Sequence, residues 1–524
     1  MATTSMKTRT DQPAVVRDEE AGFHKALRPR QIQMIAIGGA IGTGLFMGAG
    51  GRLAIAGPAL VIVYAVCAFF AFLVMRALGE LIVHRPTTGS FVSYAREFYG
   101  EKLAYAAGWM YWLNWAMTSV ADVTAVALYM NFFKQYVAWL QPIDQWVFAL
   151  VALVFVLGMN LLSVKVFGEL EFWFALIKVL ALVGFLAVGV FFVVTGTPVN
   201  GETPGLHLIA DNGGMFPNGV LPALIVVQGV VFAYASIELV GTAAGETEHA
   251  RKVMPRAIRA VVFRLAVFYV GSVLLFTLLM PYTAYQAGES PFVTFFGSIG
   301  VEGADVIMNL VVLTAVLSSL NAGLYSTGRI LHSMAVSGSA PAAFARMNRA
   351  GVPYVGIAVT AVVTALGVAL NAVVPAQAFE IALNVSALGI ISAWAVIILC
   401  QLKLQSLART GAIERPAFRM PGAPYTGYVT LAFLATVIVL MALDYPIGTS
   451  TVSSLVLIVP ALIGGWFLLR DRIRRLAAER TGTLAALRLR EGAEGAQAAP
   501  SSSLADSDDI ASTPQRAAPR DGER

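Results

Sequence analysis

Apolar residues run along this chain in blocks, most of them near the roughly 20 helical residues needed to cross a hydrocarbon core, with short polar stretches between them. About twelve such blocks can be marked, beginning near Gln31, Pro58, Leu103, Gln145, Leu170, Asn218, Ala257, Gly303, Pro353, Phe379, Gly427 and Ser450. Two of them are broken in the middle. The first, from about Gln31 to Ala54, contains Gly38-Gly39-Ala40-Ile41-Gly42-Thr43-Gly44. Glycine disfavours a continuous helix by about 1 kcal/mol per residue relative to alanine. In a bilayer the freed backbone groups survive only where protein or a wet cavity satisfies them. The sixth, from about Asn218 to Gly241, is interrupted at Phe232-Ala233-Tyr234-Ala235-Ser236-Ile237-Glu238. Interrupted helices at matching positions of two halves point to the central site of a secondary transporter. Five blocks begin with one break and five more begin with the other. Because five is odd, the second set enters the membrane in the opposite sense, which makes an inverted repeat, and spans eleven and twelve lie outside it.

Composition agrees with a membrane protein. Of 524 residues, 57% are hydrophobic and 13% charged, where a soluble domain carries about 25% charged residues. The net charge of +5 is distributed by topology. Arg76, Arg85, Arg96, Lys102, Arg251, Lys252, Arg256, Arg259, Arg346, Arg349, Lys403, Arg409, Arg415 and Arg419 fall in one set of loops; the opposite loops Gly196–Pro217, Pro281–Glu302 and Tyr445–Thr449 hold no Lys or Arg. This positive-inside pattern places both termini in the cytoplasm of a multi-pass cell-membrane protein. The bilayer is the expected macromolecular surroundings, and no nucleic-acid partner is implied. Residues 1–25 read as a flexible lead with no signal-peptide character, 26–470 as one membrane domain, and 471–524 as a largely disordered cytoplasmic tail. The tail opens with the basic stretch Arg470–Arg475, which suits a membrane surface, and His332–Val352 reads as an amphipathic element near that face. Cys67 and Cys400 are too far apart in sequence to suggest a metal motif or a disulfide framework.

The first break offers free N–H groups where the helix restarts and free carbonyls where it stops. The positive helix end suits an anion, so Gly42, Thr43 and Gly44 suit a carboxylate, and carbonyls near Gly38 suit an ammonium. Phe232–Ser236 adds further carbonyls and an aromatic lid from Phe232 or Tyr234. Read alone, glycines of this kind also permit close helix packing. Lys178, within the fifth span, is a costly charge in a membrane. Because burial disfavours the charged form, it is a candidate proton carrier; a snorkelling lysine is the alternative. Glu238 follows the second break, close enough to meet a substrate polar group or a proton, while Glu246 reads as facing the cytoplasmic end. Asn114, Thr118, Ser119 and Asp122 recur at helical spacing in the third span. Asp122 there is either functional or paired with another helix. Glu80 reads as an ion-pair or gate residue, and Trp109, Tyr111 and Trp112 as an interfacial belt. There is no Gly-x-x-x-x-Gly-Lys-Ser/Thr loop, nucleophile elbow or metal cluster, which argues against ATP-driven transport and against an enzyme. An exchanger using the same site and a membrane amino-acid sensor remain as rivals; the short polar tail argues against the sensor.

Leu27-Arg28-Pro29-Arg30-Gln31 followed by Ile37–Phe46 resembles the opening of bacterial amino-acid permeases of the amino acid–polyamine–organocation superfamily. Ala56-Gly57-Pro58, Leu78-Gly79-Glu80, Pro86, Gly89-Ser90-Phe91, Lys178 in Phe-x-x-x-Lys, Gly245-Glu246 and Asn348-Arg349-x-Gly351-Val352-Pro353 resemble the amino acid transporter family within it. The resemblance spans about residues 20–470. Two stretches, Gly22–Leu27 and Gly108–Ser119, are most similar to its L-asparagine carriers; D-serine/D-alanine/glycine and γ-aminobutyrate carriers are near relatives. The resemblance implies an all-α, LeuT-like membrane fold of about 12 helices, with discontinuous helices 1 and 6 and two extra helices. It implies import of a small neutral amino acid by proton symport, with no cofactor beyond the proton and with a monomer sufficient. It places the carboxylate on Ala40, Thr43 and Gly44, the ammonium and gate on Phe232 and Ala233, and coupling on Lys178. With the reading of the residues above, the expected substrate site comprises Ala40, Ile41, Gly42, Thr43, Gly44, Phe232, Ala233, Tyr234, Ser236, Glu238 and Ser119, and the expected proton-coupling groups are Lys178, Glu238 and Asp122.

Overall fold

A computed structural model describes residues 41–87, 89–162, 164–239, 241, 254–256, 258, 259, 263, 266–375 and 377–497. Ala40 with Gly38 and Gly39, Glu246, Arg251, Lys252, residues 1–25 and residues 498–524 lie outside that set. The described residues are helical, without a named strand; a single antiparallel bridge joins Val199 and Glu202.

The chain begins with a four-residue helix, α1 (Thr43–Phe46), turns at Met47 and continues as α2 (Gly48–Ala56). Gly57, at φ +62°, turns the chain where Pro58 opens the next helix. A side chain at that φ would be strained, and proline is pre-shaped for a first helical turn. Then follow α3 (Leu60–His84), α4 (Ser90–Tyr99), α5 (Glu101–Phe132), α6 (Gln145–Leu162) and α7 (Val164–Thr195). Short helices α8 (His207–Asp211), α9 (Val220–Ile225) and α10 (Val227–Ala233) lead to the second break. Beyond it come α11 (Gly271–Leu279), entered through a π-turn at Ala266–Val270, α12 (Pro291–Ser298), α13 (Ala304–Val336), α14 (Tyr354–Val373) and α15 (Ala378–Arg409). The last are α16 (Tyr425–Leu443), α17 (Ile447–Ser453) and α18 (Leu455–Gln497).

Among the described residues nine helices are long and apolar enough to cross a membrane. Of the three expected spans that remain, the first and sixth are the interrupted ones and the seventh begins near Ala257. Val220–Ala233 is divided at Val226 and Ala266–Leu279 is a shorter apolar helix, while the start of the first block lies outside the described residues. The expected belt of exposed apolar side chains is present: Val194, Val373 and Leu468 are 78%, 78% and 85% exposed. A soluble monomer rarely shows contiguous apolar surface on this scale; here the bilayer covers it, and the protein is a multi-pass membrane protein.

Helix α5 is the central post. It packs on α15 and α13, and also on α6, α14 and α4. Its stripe of small and polar residues is what allows this contact: Thr118 and Ser386 bond to each other at 2.8 Å, and the Ser386 hydroxyl also reaches Asn114 Oδ1 at 2.9 Å.

Several expectations are corrected by packing. His332–Val352 is not one amphipathic element. His332 belongs to α13, whose end at Val336 is followed by buried Ser337, Ser339 and Ala340 and a short turn of helix at Ala342–Ala345. Nor is Arg470–Arg475 simply a surface stretch. Arg472 donates to Ala340 O at 2.7 Å and Ala335 O at 3.0 Å, and Ile473 is fully buried. The helical body containing these residues extends to Ala477, and Ala478–Arg524 forms a separate unit. Glu80 is an ion pair: Arg415 Nε donates to it at 2.7 Å, joined by Gln401 and the Met420 N–H at 3.1 and 2.7 Å. Tyr111 is not in an interfacial belt but buried, for a reason given below. Cys67 and Cys400 are both buried and free.

Candidate functional site

The second break lies where the sequence places it, and of the first the described residues hold the restart. At the first, Gly42 has an extended backbone, with φ −129° and ψ −163°, and its carbonyl accepts from Leu45 and Phe46 as the helix restarts. At the second, α10 stops at Ala233, and Tyr234–Glu238 form turns in which Ser236 sits at φ +75°. Among the described residues no backbone N–H reaches the carbonyls of Ala233, Tyr234 or Ala235. The two breaks touch: a methyl group placed on Gly44 would lie 2.6 Å from Ala233 Cα. That contact requires glycine, because a Cβ cannot approach backbone so closely.

Different partners stabilise each break. Thr43, at the restart of the first, donates its hydroxyl to Asp122 Oδ1 of α5. Asp122 is completely buried, with the Ser319 hydroxyl and the Lys178 charge beside it. Lys178, 1% exposed, feels both Asp122 and Glu171, which lies two turns earlier on α7. Ser318 of α13 donates to Glu171 at 2.7 Å, and Asn160 of α6 donates to Asn321 Oδ1 at 2.8 Å. A buried polar chain therefore runs from the first break into α5, α7, α13 and α6.

The second break has Glu238. Its carboxylate accepts the Tyr111 hydroxyl at 2.9 Å, with the Trp394 indole beside it and the backbone N–H groups of Ser236 and Glu238 aimed at it. Tyr111 is buried because it serves this carboxylate.

Other expected site residues are placed as follows. Ile41 is buried at the first break and Phe232 at the second. The Tyr234 hydroxyl donates to Tyr64 O at 3.1 Å and its ring stacks on Tyr269 at 5.0 Å, so it turns toward α3. Ser119 packs against Gly323 of α13 and donates to Trp115 O at 3.0 Å. Beyond the first break, the Arg52 guanidinium lies over Gly48 and Gly229 and 3.9 Å from Glu380. Neighbouring Gln228 donates to Asp444 at 2.8 Å. Outside the spans, burial holds the Asp444 carboxyl above the ordinary carboxylate range, with the Gln228 bond acting in the opposite direction.

The amino acid permease model matches residues 31–479. The chain belongs to the amino acid permease family. This permease is 63% identical to L-asparagine permease 1 of Mycobacterium tuberculosis (strain CDC 1551 / Oshkosh), over 88% of this chain and 94% of the relative. It is 58% identical to L-asparagine permease of Escherichia coli (strain K12), over 87% and 91% of the two chains. With L-asparagine permease of Streptomyces coelicolor the identity is 55%, over 88% and 93%. Family membership agrees with the sequence reading, as does the turn that ends α10 at Ala233. Residues that reading missed in this permease are Glu171, Ser318, Ser319, Asn321, Asn160 and the role of Tyr111. Glu171 had a usable signal, since it stands seven residues before Lys178 and so on the same helical face. The α13 and α6 residues had none, because hydroxyl and amide groups are common in membrane helices.

Proposed function

We propose that this permease imports L-asparagine together with a proton, through twelve spans arranged as a LeuT-like inverted repeat with two helices outside it. Both termini lie in the cytoplasm, residues 26–470 carry transport, and a monomer suffices with no cofactor but the proton. The observation that carries the substrate is that relatives at 55–63% identity over nearly their whole length are L-asparagine permeases. What supports the site is the contact between the two breaks, where Gly44 meets Ala233.

In this reading the substrate carboxylate lies on the N–H groups at Gly42, Thr43 and Gly44. Its ammonium lies on the Ala233–Ala235 carbonyls, with Phe232 above it. Ala40, Ile41, Tyr234, Ser236, Ser119 and Glu238 shape the surroundings. A zwitterion matches a site that offers N–H groups on one side and carbonyls on the other. Asp122, Lys178 and Glu238 are the proton-coupling groups. One charge moving through 100 mV supplies about 2.3 kcal/mol and one pH unit about 1.4 kcal/mol, which together sustain a concentration ratio on the order of hundreds.

The test is uptake of radiolabelled L-asparagine into proteoliposomes, with and without an inward proton gradient, competed by other amino acids. Gradient-driven accumulation competed best by asparagine is expected. Better competition by D-serine, glycine or γ-aminobutyrate reassigns the substrate; counterflow with no response to the gradient makes the protein an exchanger. Lys178→Ala is expected to remove the pH dependence of uptake while substrate binding persists, and an unchanged pH profile removes Lys178 from the mechanism.

A further inference from the structure

Lys178 stands between two carboxylates that are anchored to different parts of the molecule. Asp122, on α5, is bonded to Thr43 and so is tied to the first break. Glu171, on the same helix as Lys178, is bonded by the Ser318 hydroxyl at 2.7 Å, with the Asn321 side chain beside it. Through Asn321 and Asn160 that second anchor continues into α6. Both carboxylates are completely buried. Each keeps one oxygen, Asp122 Oδ2 and Glu171 Oε2, with no hydrogen-bond partner among the described residues.

Among the described residues, the charged groups facing Lys178 are Asp122 from α5 and Glu171 from α7. The packed face of α13 adds the neutral Ser318, Ser319 and Asn321, α6 adds Asn160, and α11 contains no titratable residue. With all three groups ionised the unit carries a net charge of −1. An uncompensated buried charge is costly, and one additional proton removes it. The two bare oxygens are places for that proton, one on each carboxylate.

We propose that Glu171 is the second carboxylate of the coupling unit, so that Asp122, Lys178 and Glu171 together hold one exchangeable proton. Lys178 stays an ammonium. The proton occupies a carboxylate oxygen when the unit is loaded and returns to water when it is released, leaving that carboxylate ionised. Glu171, fixed to α13, keeps Lys178 in register when motion of the first break loosens the Thr43–Asp122 bond. Glu171 is thus a positioning and proton-holding residue with no contact to the amino acid. This inference rests on the symport reading above.

The test is Glu171→Gln in the full chain in proteoliposomes, with radiolabelled L-asparagine. Accumulation is measured at external pH from about 5 to 8 and compared with counterflow at equal pH on both sides. Accumulation is expected to fall about tenfold more than counterflow, because only accumulation draws on the gradient. The pH dependence flattens, and Glu171→Asp recovers it. A purely structural role lowers both activities equally without moving the pH profile; that result, or a wild-type profile, overturns the proposal. If Glu171→Gln does not insert, Ser318→Ala removes the hydroxyl that Glu171 accepts and must shift the pH midpoint of uptake; an unmoved midpoint overturns the proposal equally. A wild-type protein that does not accumulate asparagine against a gradient refutes the symport reading instead.

Discussion

The two helix breaks do the same job with different materials. The first is written in glycine: Gly44 removes a side chain where backbone must approach backbone, and Thr43 is pinned to Asp122 on a neighbouring helix. The second contains no glycine between Phe232 and Glu238. It is held by a left-handed serine, Ser236, and by Glu238, whose carboxylate accepts the Tyr111 hydroxyl of a neighbouring helix. One break thus depends on the absence of side chains and the other on the presence of one. That difference predicts different sensitivities to mutation.

The largest effect belongs to Gly44. A Cβ there meets Ala233 Cα at 2.6 Å, and backbone cannot yield as a flexible side chain can. Forcing a methyl into a packed interior costs about 1–3 kcal/mol, and here it separates the two breaks. Gly44→Ala is expected to lower asparagine uptake at least tenfold, and Gly44→Val to abolish it. At Gly42 the nearest atom to an added Cβ is Ser319 Oγ at 3.5 Å, an ordinary contact, and the backbone is extended. Gly42→Ala is therefore expected to retain most uptake. The pair should be measured side by side in proteoliposomes, normalised to inserted protein; equal losses would mean that the close approach of Gly44 to Ala233 is not what the first break requires.

At the second break the corresponding change is Tyr111→Phe. It removes one bond from a buried carboxylate, and a buried acceptor left short of a partner costs about 1–3 kcal/mol. Uptake is expected to fall about tenfold and its pH profile to move, because Tyr111 donates to the Glu238 carboxylate that is assigned to proton coupling above. Parallel saturation curves for the variant and the wild type check this. A wild-type curve would show that the Glu238 bond is dispensable for holding the turn.

These sensitivities also show what the sequence could and could not disclose. Glycine clusters and interrupted apolar blocks are local signals, so the restart at Gly42, the turn after Ala233 and most of the spans were legible. Lys178 and Asp122 stood out because charge in an apolar span is rare. Their meeting with Glu171 was only half legible: α7 spacing puts Glu171 and Lys178 on one face, but nothing local says that α5 brings Asp122 to the same place. Tyr111 was misread as a belt residue because aromatic residues near span ends usually are. Its partner lies 127 positions away. The latch of Arg472 on the end of α13 was equally invisible, since a basic run beside a membrane ordinarily reads as topology. Long-range pairing decided each of these positions.

The smallest effect separates strain from chemistry at the second break. Ser236 holds φ +75° without the excuse of being glycine, and the left-handed region costs a residue with a Cβ roughly 1–2 kcal/mol. Glycine adopts that conformation freely but is also freer in the unfolded chain, which cancels part of the gain. Ser236→Gly is therefore expected to raise the apparent thermal midpoint in detergent by only a few degrees, on the order of 1 kcal/mol or less. Ser236→Ala, which keeps the Cβ, should leave it unchanged. If glycine instead lowers the midpoint, the serine hydroxyl contributes more than its backbone costs. The second break would then be held by side chains alone, from Ser236 through Glu238 to Tyr111.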